Sequence, residues 1–396
     1  MSDGLEIHSI LEFGDEPAPG LWWVLSPSGE SPPIRAGAAS LVVKNEERPE
    51  LDEKIVITGG ATPDGFIDNC VELNLFTGAW RALESTQFTA RYEHAMISTS
   101  ADDNNGGQLA PLVLLGSSNS ENSTVQAQKL TVSGWEKVDF SGPAISSRTV
   151  AQPCFSDKKL FIWSGGTPSG PSQDQSVYVV SDGTSVEKHK ISGEVPCPTQ
   201  EYAACANEEF MFIHGGLTAT GKSNSLYRIN LKTFRSKCCS IVNPPGNLAM
   251  HKMVLFDDRI FLFGGLNEEN IVSDELWELS PTNEHWTQFK ARKVVFETKP
   301  TPRLAFNFHV LNLPIAPKTS QNSEQPTNLP GTPNIQPIDD WKVTIDGANI
   351  NPESSESKVD VSGYSSTPVL FIHGGCDAEG EFFNDLYVAA IPPKAE

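Results

Sequence analysis

Residues Glu209–Gly216 read EFMFIHGG, a short apolar run that stops at a glycine pair. The pattern returns as KIVITGG (Lys54–Gly60), KLFIWSGG (Lys159–Gly166), RIFLFGG (Arg259–Gly265) and PVLFIHGG (Pro368–Gly375), with a worn copy, PLVLLGS, at Pro111–Ser117. The first glycines fall at 59, 116, 165, 215, 264 and 374, so the steps are 57, 49, 50, 49 and 110. A strand-based period near fifty is the mark of a β-propeller, in which each repeat is a four-stranded blade that cannot bury its faces alone. The expectation is an all-β chain with six blades closed into one ring.

Each copy follows one grammar. In the first, strand a covers Ile34–Val43 and opens on Arg35-Ala-Gly after Pro32-Pro33; strand b is Lys54–Gly60. Strand c, DNCVELNL (Asp68–Leu75), alternates with period two, and Trp80 opens strand d after a Thr77-Gly78 turn. Strand c recurs at Asp174–Val180, Asn224–Leu231, Asp274–Ser280 and Asn384–Ile391. The aromatic recurs at Trp135, Phe234 and Trp286; the third copy reads SVEKHKI there. Arginine opens strand a at Arg35, Arg91, Arg148 and Arg303, whereas copies four and five read PTQEYAA and NLAMHKM.

The chain ends supply the closure. The last copy stops after its strand c at Ile391, and an orphan strand, LWWVLSPS (Leu21–Ser28), precedes the first arginine. Trp23 lies 12 residues before Arg35, close to the spacing of 11 from Trp80 to Arg91 and 13 from Trp135 to Arg148. Leu21–Ser28 should therefore be strand d of blade six, so that both ends share one blade and no blade edge stays open. Residues 1–20 read as a flexible lead-in, and residues 21–396 as a single propeller. The step of 110 places an insertion, Pro314–Thr367, between strands a and b of blade six. Its richness in Pro, Ser, Asn, Thr and Gln predicts disorder. Within it DDWKVTIDG (Asp339–Gly347) alternates like a strand; Trp341 marks either a segment resting on the blade or a docking segment.

Composition narrows function. With 50 Asp+Glu against 29 Lys+Arg the net charge is −21, which disfavours nucleic acid or an anionic membrane as direct partner. No apolar run reaches 18 residues and MSDGLEIHS lacks a basic-plus-apolar leader, which reads as a soluble intracellular chain. Seven irregularly spaced cysteines, two of them adjacent (Cys238, Cys239), suit neither a disulfide framework nor a zinc site and read as buried free thiols. No HExxH, CxxC, Walker loop or GxSxG occurs, so no catalytic residue, metal or cofactor is expected.

In an antiparallel meander, d–a and b–c loops emerge on one face and a–b and c–d loops on the other. Arg35, Arg91, Arg148 and Arg303 thus share a face with the loops after the glycine pairs; the insertion, Lys44–Glu53 and Ser98–Ala110 share the opposite one. Guanidinium groups near a channel mouth suit carboxylate or phosphate recognition. A repeated arginine can equally hold its own blade's carbonyls or an acidic loop residue. His94 and His251 fall in strand a as polar channel linings, His94 a candidate partner contact with the arginines. His214 and His373 end strand b, where the matching residues Thr58, Ser164 and Phe263 argue for a packing position rather than a metal ligand.

This grammar resembles kelch-repeat proteins, and at finer scale those kelch propellers that act as Rab effectors. The finer resemblance rests on LEFGDEP (Leu11–Pro17), Pro32–Gly37, RYEHA (Arg91–Ala95), FIHGGL (Phe212–Leu217), the insertion in the last blade, and the ending FIHGG…EGEFFND (Phe371–Asp385). It implies a six-bladed, non-enzymatic propeller that binds a GTP-bound Rab GTPase in endosome-to-trans-Golgi transport. Such a protein would be cytoplasmic and monomeric, with other trafficking partners, and would reach late-endosomal or trans-Golgi membranes only through them. Two rival readings are a substrate-recognition subunit of a ubiquitin ligase, disfavoured because blade one starts by about residue 21, and a kelch enzyme with a channel site, disfavoured by the lack of a convergent Tyr, His and Cys cluster. Deleting Pro314–Thr367 and bridging with a short Gly/Ser link should leave a folded ring, since the insert replaces an a–b hairpin loop. Loss of cooperative melting in that variant would show the insert to be structural.

Overall fold

The computed structural model describes residues 8–44, 51, 53–83, 85–99, 110–118, 127–131, 133–146, 148–149, 152–317 and 363–394. Six antiparallel blades follow in chain order, each in the spatial order a-b-c-d. Blade one uses Ala39–Lys44, Glu53–Thr58, Cys70–Asn74 and Ala79–Leu83. Blade two uses Ala95–Thr99, Ala110–Leu114, Ala127–Thr131 and Gly134–Val138; blade three uses Cys154–Ser156, Lys159–Trp163, Ser176–Ser181 and Ser185–Lys190. Blade four runs from Ala203–Ala206 to Arg235–Val242 and blade five from Lys252–Phe256 to Gln288–Val294. Their outer strands pair in parallel, Ser240–Val242 with Gln288–Lys290.

Blade six is assembled from both ends of the chain. Asn307–Ile315, Ser365–Cys376 and Phe382–Ala390 supply strands a to c, and Trp23–Leu25 completes it antiparallel to Phe382–Ala390, with Trp23 opposite Val388. The a–b hairpin extends past the expected limits: Pro314 and Ile315 pair with Ser366 and Ser365, so only residues 318–362 lie outside the described residues. Trp341 and Asp339–Gly347 fall there. The expected flexible lead-in is corrected for residues 8–20. Ile10–Leu11 adds a parallel strand to Trp23–Leu25, Ala316 N–H donates to Gly14 O at 2.8 Å, and Leu11 is buried. The reason is apolar: Leu11 and Phe13 join the core between blades six and one.

That core is one of six, one for each blade interface. Ile57, Leu73, Phe371 and Val388 fill the six–one interface; Val56, Met96, Val113 and Trp135 the one–two interface. Leu112, Leu114, Leu160 and Ile162 pack between two and three; Phe161, Trp163, Met211 and Ile213 between three and four. Phe212, Leu226, Ile260 and Leu262 pack between four and five, and Phe261, Phe263, Phe308 and Leu370 between five and six. Trp22 plugs the last of these, its ring tilted against Phe263 and Phe296, so the N-terminal strand fastens blade five as well as blade six. Each blade thus buries both faces only because it has two neighbours. The thiols divide: Cys70, Cys154, Cys205 and Cys239 are buried as expected, but Cys197 is exposed and Cys238 and Cys376 are half-buried.

The glycine pair has a second, polar role. The N–H of its second member donates to the carbonyl of the residue that opens strand a in the next blade: Gly60 to Arg91 (2.9 Å), Gly116 to Arg148 (3.0 Å), Gly165 to Thr199 (3.1 Å), Gly216 to Leu248 (2.7 Å), Gly265 to Arg303 (3.3 Å) and Gly375 to Arg35 (2.9 Å). The set runs completely round the ring and corrects the alignment of two copies. Gly116 is the second glycine of blade two, not the first, and Leu115 (φ 67°) replaces the first; in blade three Ser164 (φ 45°) stands first and Gly165 second. The first position therefore accepts a side chain, while the second is glycine in all six blades. A Cβ on Gly375 would lie 2.5 Å from Leu304 O, and one on Gly216 2.7 Å from Gln200 O. Gly375→Ala should lower stability by about 2 kcal/mol or more. Gly380→Ala, also at positive φ but with nothing within 4 Å of its Cβ, should lose about 1 kcal/mol. Equal losses in urea titrations of the two variants would contradict the steric argument.

Candidate interaction face

The residue two after the strand-a opening position turns into the left-handed region: Gly37 (φ 65°), Glu93 (52°), Glu201 (58°), Met250 (61°) and Ala305 (52°). This register forms an inner collar. Gly37 N–H donates to Ala305 O at 2.7 Å, Glu93 N–H to Gly37 O at 2.6 Å, and Met250 N–H to Glu201 O at 2.8 Å. The collar frames the channel mouth on the face of the d–a junctions, with Gln152, Lys252 and Phe306 just inside. The cavity there is about 60 Å³, a volume for one or two waters rather than the hundreds of cubic ångströms of a small-molecule site. A polar centre of this size leaves the face around it as the larger surface for recognition.

The four arginines do not form that surface. Arg35, Arg91, Arg148 and Arg303 are 1, 2, 1 and 0% exposed. Each turns its Nε back on the carbonyl two residues earlier: Pro33 (3.2 Å), Thr89 (3.2 Å), Ser146 (3.3 Å) and Thr301 (2.9 Å). In three of them Nη1 donates to the carbonyl of the first pair position: Gly59, Ser164 and Gly374 at 3.0, 2.9 and 3.0 Å. Remaining donors reach Gln128 from Arg91, Ser146 Oγ from Arg148, and Asp385 in a two-pronged pair from Arg303. Burial pushes Arg35 and Arg91 down to about 10, still charged at neutral pH. As partner contacts these four are therefore corrected: they are ties that hold strand a against the end of strand b.

His94 is likewise internal. Its Nε2 meets Thr58 Oγ1 at 2.9 Å across the one–two interface, and burial pushes it down to about 3. His251 meets the Nδ1 of His214 at 3.0 Å across the four–five interface. Phe306 against Phe263 and Tyr202 against Trp163 are the corresponding pairs elsewhere. The strand-b partners in this register are Thr58, Trp163, His214, Phe263 and His373, so Trp163 and not Ser164 matches the histidines. At the six–one interface the strand-a residue is Ala38, and both ring nitrogens of His373 lack a partner among the described residues.

The sequence reading missed Glu93, Glu201 and Lys252. Burial pushes the Glu93 carboxyl up to about 7, with Glu201 adding to the rise and Lys252 opposing it; burial also pushes Lys252 down. The signal was present in RYEHA and PTQEYAA, since both acids sit two residues after the opening position, but it becomes visible only when the copies are aligned on the second glycine. Among the described residues no three His, Cys, Asp or Glu side chains are placed to hold a metal ion, and no helix is long and apolar enough to cross a membrane.

These blades, with their glycine pairs and arginine ties, form a six-bladed β-propeller. The KLHDC2/KLHL20/DRC7 Kelch-repeats domain matches residues 154–312. The chain is similar to proteins named Rab9 effector protein with kelch motifs. The Xenopus laevis protein is 26% identical over 215 residues, covering 53% of this chain and 57% of that relative; the Danio rerio protein is 25% identical over 243 residues, covering 58% and 68%. The first match thus spans little more than half of its relative. With the Mus musculus protein the likeness runs end to end, 24% identical over 393 residues and 96% of both chains.

The raised Glu93 value carries a test with a definite sign. The folded protein keeps a proton that the unfolded chain releases between pH 4.5 and about 7, so this group's contribution to stability is lost as pH rises through that window. Glu93→Gln should match the parent near pH 4 and exceed its stability at pH 8, read by denaturant titration at both values. A difference independent of pH would contradict it.

Proposed function

We propose that this propeller is a non-enzymatic interaction scaffold that binds a Rab GTPase in its GTP-bound state. The observation that carries the reading is the end-to-end likeness to a protein named as a Rab9 effector, 96% of both chains at 24% identity. The physical arrangement supports it. The blades are joined by a complete set of backbone bonds, the cavity framed by the collar is about 60 Å³, and the junction face presents loops of constant register. Switch segments of a small GTPase become ordered with GTP, so a rigid face that contacts them gains affinity for that state alone. The acidic balance, 50 Asp+Glu against 29 Lys+Arg, favours a partner surface with exposed basic residues. In this reading the protein is cytoplasmic and is recruited to late-endosomal or trans-Golgi membranes through its GTPase in vesicle transport.

The purified chain should capture Rab9 loaded with a non-hydrolysable GTP analogue at least tenfold better than Rab9 loaded with GDP, in a panel with other endosomal and Golgi Rab proteins. Equal capture in the two nucleotide states, or none across the panel, would sink the effector reading.

A further inference from the structure

Blade six differs from the other five in how its third strand ends. In blades one to five strand c is followed by a turn into strand d, as in blade two, where Thr131 pairs with Gly134. In blade six strand d is Trp23–Leu25, so no such turn holds the end of Phe382–Ala390. A strand that ends without a turn frays. The residues after Ile391 cannot extend the ladder either, because Pro392 and Pro393 have no N–H to donate. Pro392 is buried, so its carbonyl needs a donor from elsewhere in the protein.

Blade five supplies it. Arg259 Nη1 donates to Pro392 O and Arg292 Nη2 donates to Pro393 O, both at 2.7 Å. One carboxylate holds the two guanidinium groups in place. Glu278 Oε2 accepts from Arg292 Nη2 at 2.6 Å and Nε at 3.2 Å, and from Arg259 Nη1 at 3.4 Å. Glu278 Oε1 accepts from Ser280 Oγ at 2.9 Å. Glu278 is 1% and Arg259 5% exposed, so the cradle is built into the blade rather than laid on its surface. Ile391 packs against the core between blades five and six, and Lys394 Nζ pairs with Asp257 at 3.0 Å on the far side of the cradle. Blade one carries a matching triad. Val56, Glu72 and Arg81 pair across its strands b to d as Phe261, Glu278 and Arg292 do in blade five, and Glu72 lies 3.5 Å from Lys54 and 3.4 Å from Arg81.

We infer that Arg259, Glu278 and Arg292 form a binding site for the carbonyls of an extended, proline-bearing peptide, that its ligand is the chain's own Pro392–Lys394, and that this strap takes the place of the turn that blade six lacks. Charge-assisted hydrogen bonds are about twice as strong as neutral ones, and prolines have little freedom to lose when they are fixed. The strap is a second fastening of blade six to blade five. It is separate from the one at Trp22, whose N–H and carbonyl are both bonded to Thr298 Oγ1 at 2.9 Å. The inference does not depend on which GTPase the propeller binds.

The test is amide hydrogen exchange in the full chain, read at Val388–Ala390, with Lys159–Trp163 in blade three reporting that each variant is folded. Arg292→Gln should speed exchange at Val388–Ala390 about tenfold. Arg81→Gln, which breaks the matching ion pair in blade one, should leave Val388–Ala390 unchanged. Pro393→Gly keeps the triad and loosens only its ligand, so it reports on the strap even where Arg292→Gln disturbs blade five as a whole. It should speed exchange at Val388–Ala390 about threefold, with Lys159–Trp163 unchanged. Equal exchange at Val388–Ala390 in Arg292→Gln and Arg81→Gln, or no change there in Pro393→Gly, would overturn the assignment.

Discussion

The hydrogen bond from the second glycine of each pair to the opening carbonyl of the next blade is the constraint on which the rest of the structure depends. It needs a strand end with no side chain, because the neighbouring backbone lies within 3.0 Å of where a Cβ would sit at Gly60, Gly116, Gly216, Gly265 and Gly375. It also needs the next strand a to arrive at a fixed height. The buried arginines set that height by tying the strand-a opening to the end of strand b within their own blade. With the backbones locked, the apolar faces meet in six separate cores, each bridging two blades.

Ring closure follows the same rule. Gly375 and Arg35 are far apart in sequence, yet their bond has the length of the bonds inside the chain. The seam is sealed by Leu11, Leu25 and Phe371 on the apolar side and by Trp22 on the next interface. Buried polar groups at this interface also lack partners among the described residues. His373 faces Ala38 where blades two, four, five and six supply a ring, and Arg35 Nη2 has no partner among the described residues. Burial and the nearby Arg35 and Arg303 charges push His373 down to about 3. A histidine held neutral this way contributes stability that is present above its unfolded value of 6.5 and is lost as pH falls below it. The buried Glu93 at the collar has the opposite dependence.

Much of this was legible in the sequence. The spacing of LWWVLSPS from Arg35 was enough to place it as the last strand of blade six, because strand counts and spacings are fixed by the repeat. The faces of the loops followed from antiparallel order. What was not legible depended on register at the level of single residues. PLVLLGS and KLFIWSGG each displace the glycine by one position, and only the backbone bonds show which residue is the second glycine. The arginines looked like a presented set because a repeated charge reads the same whether it faces solvent or its own carbonyls. The acids of the collar lie in positions that vary among copies, so repetition did not mark them.

Function in such a ring resides where the copies differ. On the junction face they differ at the collar, where Glu93 and Glu201 take the register that Gly37, Met250 and Ala305 hold in other blades. The most direct test of the account is amide hydrogen exchange at the six second glycines. A ring closed by equivalent bonds predicts that Gly375, which joins the two ends of the chain, exchanges as slowly as Gly60, Gly216 and Gly265. Fast exchange at Gly375 with the others protected would mean that the chain forms an open arc rather than a closed propeller.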